Sequence, residues 1–203
     1  MSEFRKKVTF PGIPDEMFKR GDVPMTKQEI RALTITKARI SDGDIIYDIG
    51  AGTGSLSIEA ALMAPNGKVF AVEKEEVAVA LIKENRAAFG ITNLTVIHDL
   101  APNALAALPP ADCVLVGGSG DNLREIIETI HIHLKEGGRV VFNAITLETL
   151  AVTFETLSSL LHYKTEVISV HIDRLVSMGS KHGFKSLNPV YIISAQKEAR
   201  DIG

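Results

Sequence analysis

The segment Asp48-Ile49-Gly50-Ala51-Gly52-Thr53-Gly54 constrains this chain more than any other. It follows a short apolar run at 45–49 and opens a helical pattern at 55–63. A strand that runs through closely spaced glycines into a helix is the ligand-binding turn of a βαβ unit. The glycines admit positive φ and let a ligand approach the backbone. In an open parallel sheet, ligands sit outside the carboxyl ends of the strands, and this loop lies at such an end.

The alternation continues along the chain. Further strands are predicted at 68–72, 94–97, 113–116 and 139–143, and helices at 76–89, 123–134 and 147–161. Strands that alternate with helices imply right-handed crossovers and a parallel sheet covered on both faces. The last two strands, 165–172 and 190–195, have no helix between them, only a loop. They read as an antiparallel hairpin at one edge, which makes the sheet mixed. Residues 1–43 differ: Pro11, Pro14 and Pro24 punctuate them before an amphipathic helix at 27–40. They read as an extension packed on a sheet domain spanning 44–203.

Composition excludes several functions. With 22 Lys+Arg against 25 Asp+Glu, the net charge of −3 lacks the basic excess of a sequence-independent nucleic-acid binder. A single cysteine, Cys113, rules out a disulfide framework or multi-cysteine zinc site, and no metal site is expected. No Trp and 5% aromatic residues make base stacking a poor binding device. No apolar run approaches the roughly 18 residues of a membrane span. The N-terminus shows no signal peptide, so a cytoplasmic protein is expected.

Charge decides between two ligand classes for the glycine loop. A nicotinamide dinucleotide wants G-x-G-x-x-G with its pyrophosphate on the helix N-terminus. Here the pattern is G-x-G-x-G, and Asp48 ahead of it would oppose a diphosphate. An acid there suits an ammonium group. Glu73, about 20 residues further on at the end of the second strand, can accept hydrogen bonds from ribose hydroxyls. S-adenosylmethionine carries an amino acid, a nucleoside and no phosphate, and fits both acids.

These residues resemble the first motif of class I S-adenosylmethionine-dependent methyltransferases, which implies a Rossmann-like seven-stranded α/β sheet. A narrower resemblance runs from about Gly12 to Ala195. Gly12-Ile13-Pro14-Asp15, Pro24-Met25-Thr26-Lys27, Ala101-Pro102, Gly117-Gly118-Ser119-Gly120 and Asn143-Ala144-Ile145-Thr146-Leu147-Glu148-Thr149 resemble the decarboxylating precorrin methyltransferases of corrin biosynthesis. That family methylates carbon 15 of a tetrapyrrole and removes the ring C acetate carboxyl in the route to cobalamin. The resemblance implies cofactor contacts from Thr26, from Gly50, Ala51, Gly52, Thr53 and Gly54, from Glu73, and near the adenine from Ala101. The family's Gly-Asp-Ala-Pro reads Asp99-Leu100-Ala101-Pro102 here, which displaces the acid, Asp99, by one residue. The family also implies a homo-oligomer, with tetramers among its members. Some relatives carry a fused carbon-5 methyltransferase; a separate one is expected beside this chain. A class I methyltransferase acting on another small molecule or on RNA is the competing reading.

The implied acceptor is a polycarboxylate, so cations and backbone N–H groups should meet it. The stretch 171–185 holds Arg174, Lys181 and Lys185 against one acid, Asp173. Arg174 and Lys181 are the candidates there, with Lys27 and Arg31 as lesser ones. Gly118, Ser119 and Gly120 after the fourth strand would leave room for a flat macrocycle. Asn143 and Glu148 flank the end of the fifth strand and complete the substrate candidates, and Thr146 is placed to cap the helix that follows. Cys113 reads as a buried small hydrophobe. His131 and His133, two apart on a helix, do not share a face and make a poor metal pair.

Overall fold

The computed structural model describes residues 11–118, 120–160 and 162–199. The first of the two helical faces begins with α1 (Gln28–Ala38). Then β1 (Ile45–Ile49), α2 (Ser55–Met63), β2 (Lys68–Glu73), α3 (Glu76–Ala88) and β3 (Leu94–His98) build one half of the sheet. The chain crosses back to β4 (Ala111–Val116), α4 (Leu123–His133), β5 (Leu134–Ala144) and α5 (Leu147–Ser159). It ends with β6 (Tyr163–Val170), β7 (Asp173–Met178), β8 (Lys181–Ser186) and β9 (Val190–Lys197).

Seven strands form one sheet in the order β3-β2-β1-β4-β5-β9-β6. All run parallel except β9, which is antiparallel to both β5 and β6. The order reverses between β1 and β4, and the crevice at that switch point opens beside the glycine loop. Successive strand residues point to opposite faces. Thus Ile46, Ala71, Leu115 and Val141 join the core under α1, α2 and α3. Tyr47, Val72, Val116 and Phe142 join the core under α4 and α5. Both faces are buried, so the central strands are nearly continuous apolar runs.

Several elements differ from the sequence reading, among them α1, which spans Gln28–Ala38 rather than 27–40, and β6, which spans Tyr163–Val170 rather than 165–172. The fifth strand starts at Leu134 rather than 139, and its pairing with β4 shifts register between Ala111 and Cys113. The helix expected at 147–161 ends at Ser159, and Leu161 lies outside the described residues. The loop expected between the last two strands is the β7–β8 hairpin, a separate two-stranded sheet. Its strands are polar and exposed, so no buried face marks them as alternating in the sequence. Thr146 caps α5 as expected, its side chain accepting from Thr149 N at 3.2 Å. Among the described residues no helix is long and apolar enough to cross a membrane.

Candidate active site

A cavity of about 800 Å³ opens at the carboxyl ends of β1, β2, β4 and β5. Its floor is the glycine loop, where Gly50, Gly52 and Gly54 have φ of 68°, 57° and 76°. At two of these positions packing adds to the demand of the positive φ. A Cβ on Gly50 would stand 2.1 Å from the Gly118 carbonyl oxygen, because the loops after β1 and β4 cross there. A Cβ on Gly54 would press on Ile82 of α3 at 3.0 Å. Gly54 is therefore a packing residue, and it is absent from the cavity wall that Gly50, Ala51, Gly52 and Thr53 share.

Two acids meet this floor. Asp48 is 1% exposed, and one carboxylate oxygen accepts from the Ser57 hydroxyl of α2. The other, Oδ1, is buried with no hydrogen-bond partner. Burial pushes the Asp48 carboxyl up to about 6; repulsion from Glu73 adds to this and the Ser57 hydrogen bonds oppose it. Glu73, at the end of β2, is 8% exposed. Its carboxylate accepts from Gly52 N at 2.8 Å, Lys74 N at 2.8 Å and Glu75 N at 3.0 Å. Three backbone donors fix its orientation at the cavity edge.

Asp99 and Ala101 line the wall after β3. The Asp99 carboxylate accepts from Leu100 N at 2.7 Å, and its own N–H donates to the Glu73 carbonyl at 3.1 Å. Leu100, which the sequence reading passed over, also lines the wall although 44% exposed. Gly118, Gly120 and Asn143 line the opposite end, and Ser119 lies outside the described residues.

The N-terminal residues close one side. Thr26 and Lys27 line the cavity together with Asp22, Val23, Pro24 and Met25. The Pro24 carbonyl packs so near the loop that a Cβ on Gly52 would approach it to 3.1 Å. Arg31 holds this strap. It is fully buried, pairs with Glu59 of α2 at 2.6 Å, and donates to the carbonyls of Thr26 and Ile13. Gly12 N and Ile13 N donate to the same Glu59 carboxylate at 2.8 and 2.9 Å, and Asp15 meets Arg31 at 3.2 Å. The Gly12-Ile13-Pro14-Asp15 motif thus wraps a buried ion pair. Asn85 of α3 adds a second pin. It donates to the carbonyls of Lys19 and Thr53 at 2.7 and 2.9 Å and accepts from Lys19 N at 2.8 Å.

Several expected substrate residues stand elsewhere. Arg31 has its guanidinium consumed inside the fold, so it does not face a ligand. Glu148 is exposed in the first turn of α5, outside the wall. Arg174 pairs with Glu29 of α1 at 2.7 Å, and Lys181 is exposed at the start of β8; neither lines the cavity. The physical reason is the hairpin: pairing β7 with β8 carries the charged side chains along an exposed ribbon. Only its flanks, Ile172, Leu187 and Asn188, reach the wall. Ser57, Glu59, Asn85 and Thr34 were missed. Their signal was polar residues within otherwise apolar helix faces.

A seven-stranded sheet with one reversed strand, and acids at the ends of β1 and β2 around a glycine loop, defines a Rossmann-like methyltransferase. A family model described as a precorrin methyltransferase domain matches residues 16–197, and the chain belongs to that family. It is 38% identical over 189 residues to a cobalt-precorrin-6B C(15)-methyltransferase (decarboxylating) of Salmonella typhimurium, covering 93% of this chain and 97% of that one. A solved precorrin-6y C5,15-methyltransferase structure from Geobacter metallireducens GS-15 superposes with TM-score 0.88 at 40% identity, covering 94% of this chain and all of that one, 100%. A precorrin 8W decarboxylase structure from Methanobacterium thermoautotrophicum gives TM-score 0.84 at 33% identity, covering 90% and 98%. A tRNA (m1A58) methyltransferase of Aquifex aeolicus, 17% identical with TM-score 0.72, shares the fold alone.

Proposed function

We propose that this chain methylates carbon 15 of a precorrin tetrapyrrole and removes the ring C acetate carboxyl, in the route to cobalamin. The observation that carries this reading is the 38% identity spanning 97% of a decarboxylating carbon-15 methyltransferase. S-adenosylmethionine, when bound, supplies a methyl group already activated on a sulfonium. The residues of the cavity suit that cofactor. Asp48 Oδ1 is a buried acceptor without a partner, which an ammonium group would satisfy. Glu73 offers an oriented carboxylate to ribose hydroxyls, and Asp99 and Ala101 border the space for the adenine. Thr26, Gly50, Ala51, Gly52 and Thr53 line the same cavity, and Gly54 shapes the turn.

The protein's work is alignment. Methyl transfer breaks one S–C bond and forms one C–C bond, using an electron pair of the macrocycle. Holding donor and acceptor in line and excluding water lowers that barrier without a strong base. Loss of carbon dioxide returns the electron pair of the broken C–C bond to the conjugated ring. Gly118 and Gly120 leave space for a flat acceptor over β4.

Arg174, Lys181 and the exposed Leu175, Met178 and Phe184 sit on a two-stranded ribbon, a form marginally stable alone in water. That supports a homo-oligomer, including a tetramer, in which the ribbons bury their apolar residues. In this reading Arg174 and Lys181 meet acceptor carboxylates only in the assembly. Carbon-5 methylation belongs to a separate methyltransferase, and the enzyme works in the cytoplasm. Incubating the protein with S-adenosylmethionine and the tetrapyrrole should give a product that has gained one methyl and lost carbon dioxide by mass spectrometry. An unchanged mass in an assay that turns over a known relative sinks the reading.

A further inference from the structure

Among the described residues, two buried side-chain polar atoms lack any hydrogen-bond partner: Asp48 Oδ1 and Asn143 Nδ2. Both residues line the cavity. The ammonium of an amino-acid cofactor accounts for Asp48. Nothing so far accounts for Asn143.

Their placement separates the two. Asp48 pairs with Leu115 across β1–β4, and Leu115 pairs with Val141 across β4–β5. Asn143 therefore stands two strands over from Asp48 and two residues further along, on the same face of the sheet. Strand spacing and rise put the two Cα atoms roughly 12 Å apart. Glu73, Asp99 and Ala101 lie on the opposite side of Asp48, at β2 and beyond β3. A nucleoside-bearing amino acid that reaches from Asp48 to Glu73 extends away from Asn143. The β5 end is left for a second molecule.

Thr34 of α1 sets what Asn143 can present there. Its hydroxyl lies 2.8 Å from the Ile30 carbonyl and 3.0 Å from Asn143 Oδ1, and Thr34 is fully buried. A hydroxyl has one hydrogen, so it cannot donate to both. The Ile30 carbonyl already takes the backbone bond of the helix. Turning the hydroxyl to Asn143 Oδ1 thus costs little and leaves Nδ2 as a free donor. Pairing the hydroxyl with Ile30 instead lets the amide turn over and present oxygen. A buried group left unpaired costs about 1–3 kcal/mol, so it is kept where a ligand satisfies it.

We propose that Asn143 Nδ2 donates a hydrogen bond to a side-chain carboxylate of the methyl acceptor, with Thr34 as the positioning residue that holds the amide in its donor orientation. This rests on the polycarboxylate tetrapyrrole reading above. A neutral donor orients a carboxylate without the ion pair that would hold negative charge on a group due to leave.

The test uses the full chain with the tetrapyrrole and S-adenosylmethionine. Asn143→Ala should raise KM for the tetrapyrrole about tenfold, with kcat changed less and cofactor affinity by calorimetry unchanged. Asn143→Asp should be worse, about a hundredfold, because it sets like charges together, and should recover partly as pH falls. Thr34→Val should give part of the alanine effect, and Thr34→Ser should restore the wild-type KM. Asn143→Asp equal to or better than Asn143→Ala overturns the proposal, as does equal loss of cofactor affinity in all variants. A wild-type chain that binds cofactor but neither binds nor turns over the tetrapyrrole overturns the functional reading and this inference together. An active wild type with indistinguishable Asn143 variants overturns the inference alone.

Discussion

Residues 12–27 and the β7–β8 hairpin are both additions to the sheet, and both reach the same cavity, the hairpin only through its flanks, but they are held in opposite ways. The N-terminal strap is tied by a fully buried ion pair, Arg31–Glu59, and by Asn85, which bridges Lys19 to the glycine loop. The hairpin has one exposed ion pair to the rest of the described chain, Arg174–Glu29, and carries Phe184 at 74% and Leu175 at 62% exposure. The strap is part of the folding unit, since breaking its anchors leaves charge uncompensated in the interior. The hairpin leaves Leu175, Met178 and Phe184 exposed. The cavity thus has one wall set by the chain's own core and another reached by the flanks of an exposed ribbon.

The contrast can be broken most directly at Glu59. Glu59→Ala strands the buried Arg31 guanidinium and should cost about 3–5 kcal/mol by urea denaturation. The strap should loosen with it, so cofactor affinity should fall too. Pairing Arg31→Met with Glu59→Leu should recover only part of the stability and none of the affinity, because the Thr26 and Ile13 carbonyls lose their donor and Gly12 N and Ile13 N lose their acceptor.

Asp48, between the two walls, gives the next effect. Its pKa is raised by burial from 3.8 to about 6. The unfolded chain therefore ionises first. Stability without cofactor is fully present below about pH 4 and declines by about 3 kcal/mol as pH rises through 6. Cofactor affinity should move the other way across that window, because an ammonium favours the ionised form. Asp48→Asn should flatten both profiles; two unaltered profiles would show that another group titrates.

Asn85→Ala should cost about 1–3 kcal/mol, since the carbonyl of Thr53 and the backbone of Lys19 lose buried partners. Cofactor affinity should drop alongside it. Least of all, Arg174→Ala should shift stability by under about 1 kcal/mol, the usual worth of an exposed pair. Phe184→Ser should likewise leave the midpoint of a monomeric chain nearly unmoved while weakening association measured by sedimentation. A large fall in monomer stability from either would place the hairpin in the folding unit and erase the contrast.

Much of this was legible in the chain. The strands and helices from Ile45 to Ala144 follow from apolar runs, glycine punctuation and alternation, because a parallel sheet covered on both faces needs those patterns. Asp48 and Glu73 could be picked out because their positions at strand ends follow from the βαβ unit alone. The hairpin was less legible: its strands are polar and exposed, so they lack the burial that writes a period into sequence. Arg31 was misjudged for a related reason. A cation on an amphipathic helix reads as surface unless its partner, Glu59, is known to lie beneath it.

By itself the sequence determined the order of elements in the seven-stranded sheet, the glycine loop and the two acids, since local spacing places residues within one βαβ unit. Tertiary structure alone decided which polar residues meet. Arg31 with Glu59, Asn85 with Thr53, and Thr34 with Asn143 are 28, 32 and 109 residues apart. Only the folded sheet brings such groups within hydrogen-bonding distance, and only burial there leaves Asp48 Oδ1 and Asn143 Nδ2 unpaired at the cavity.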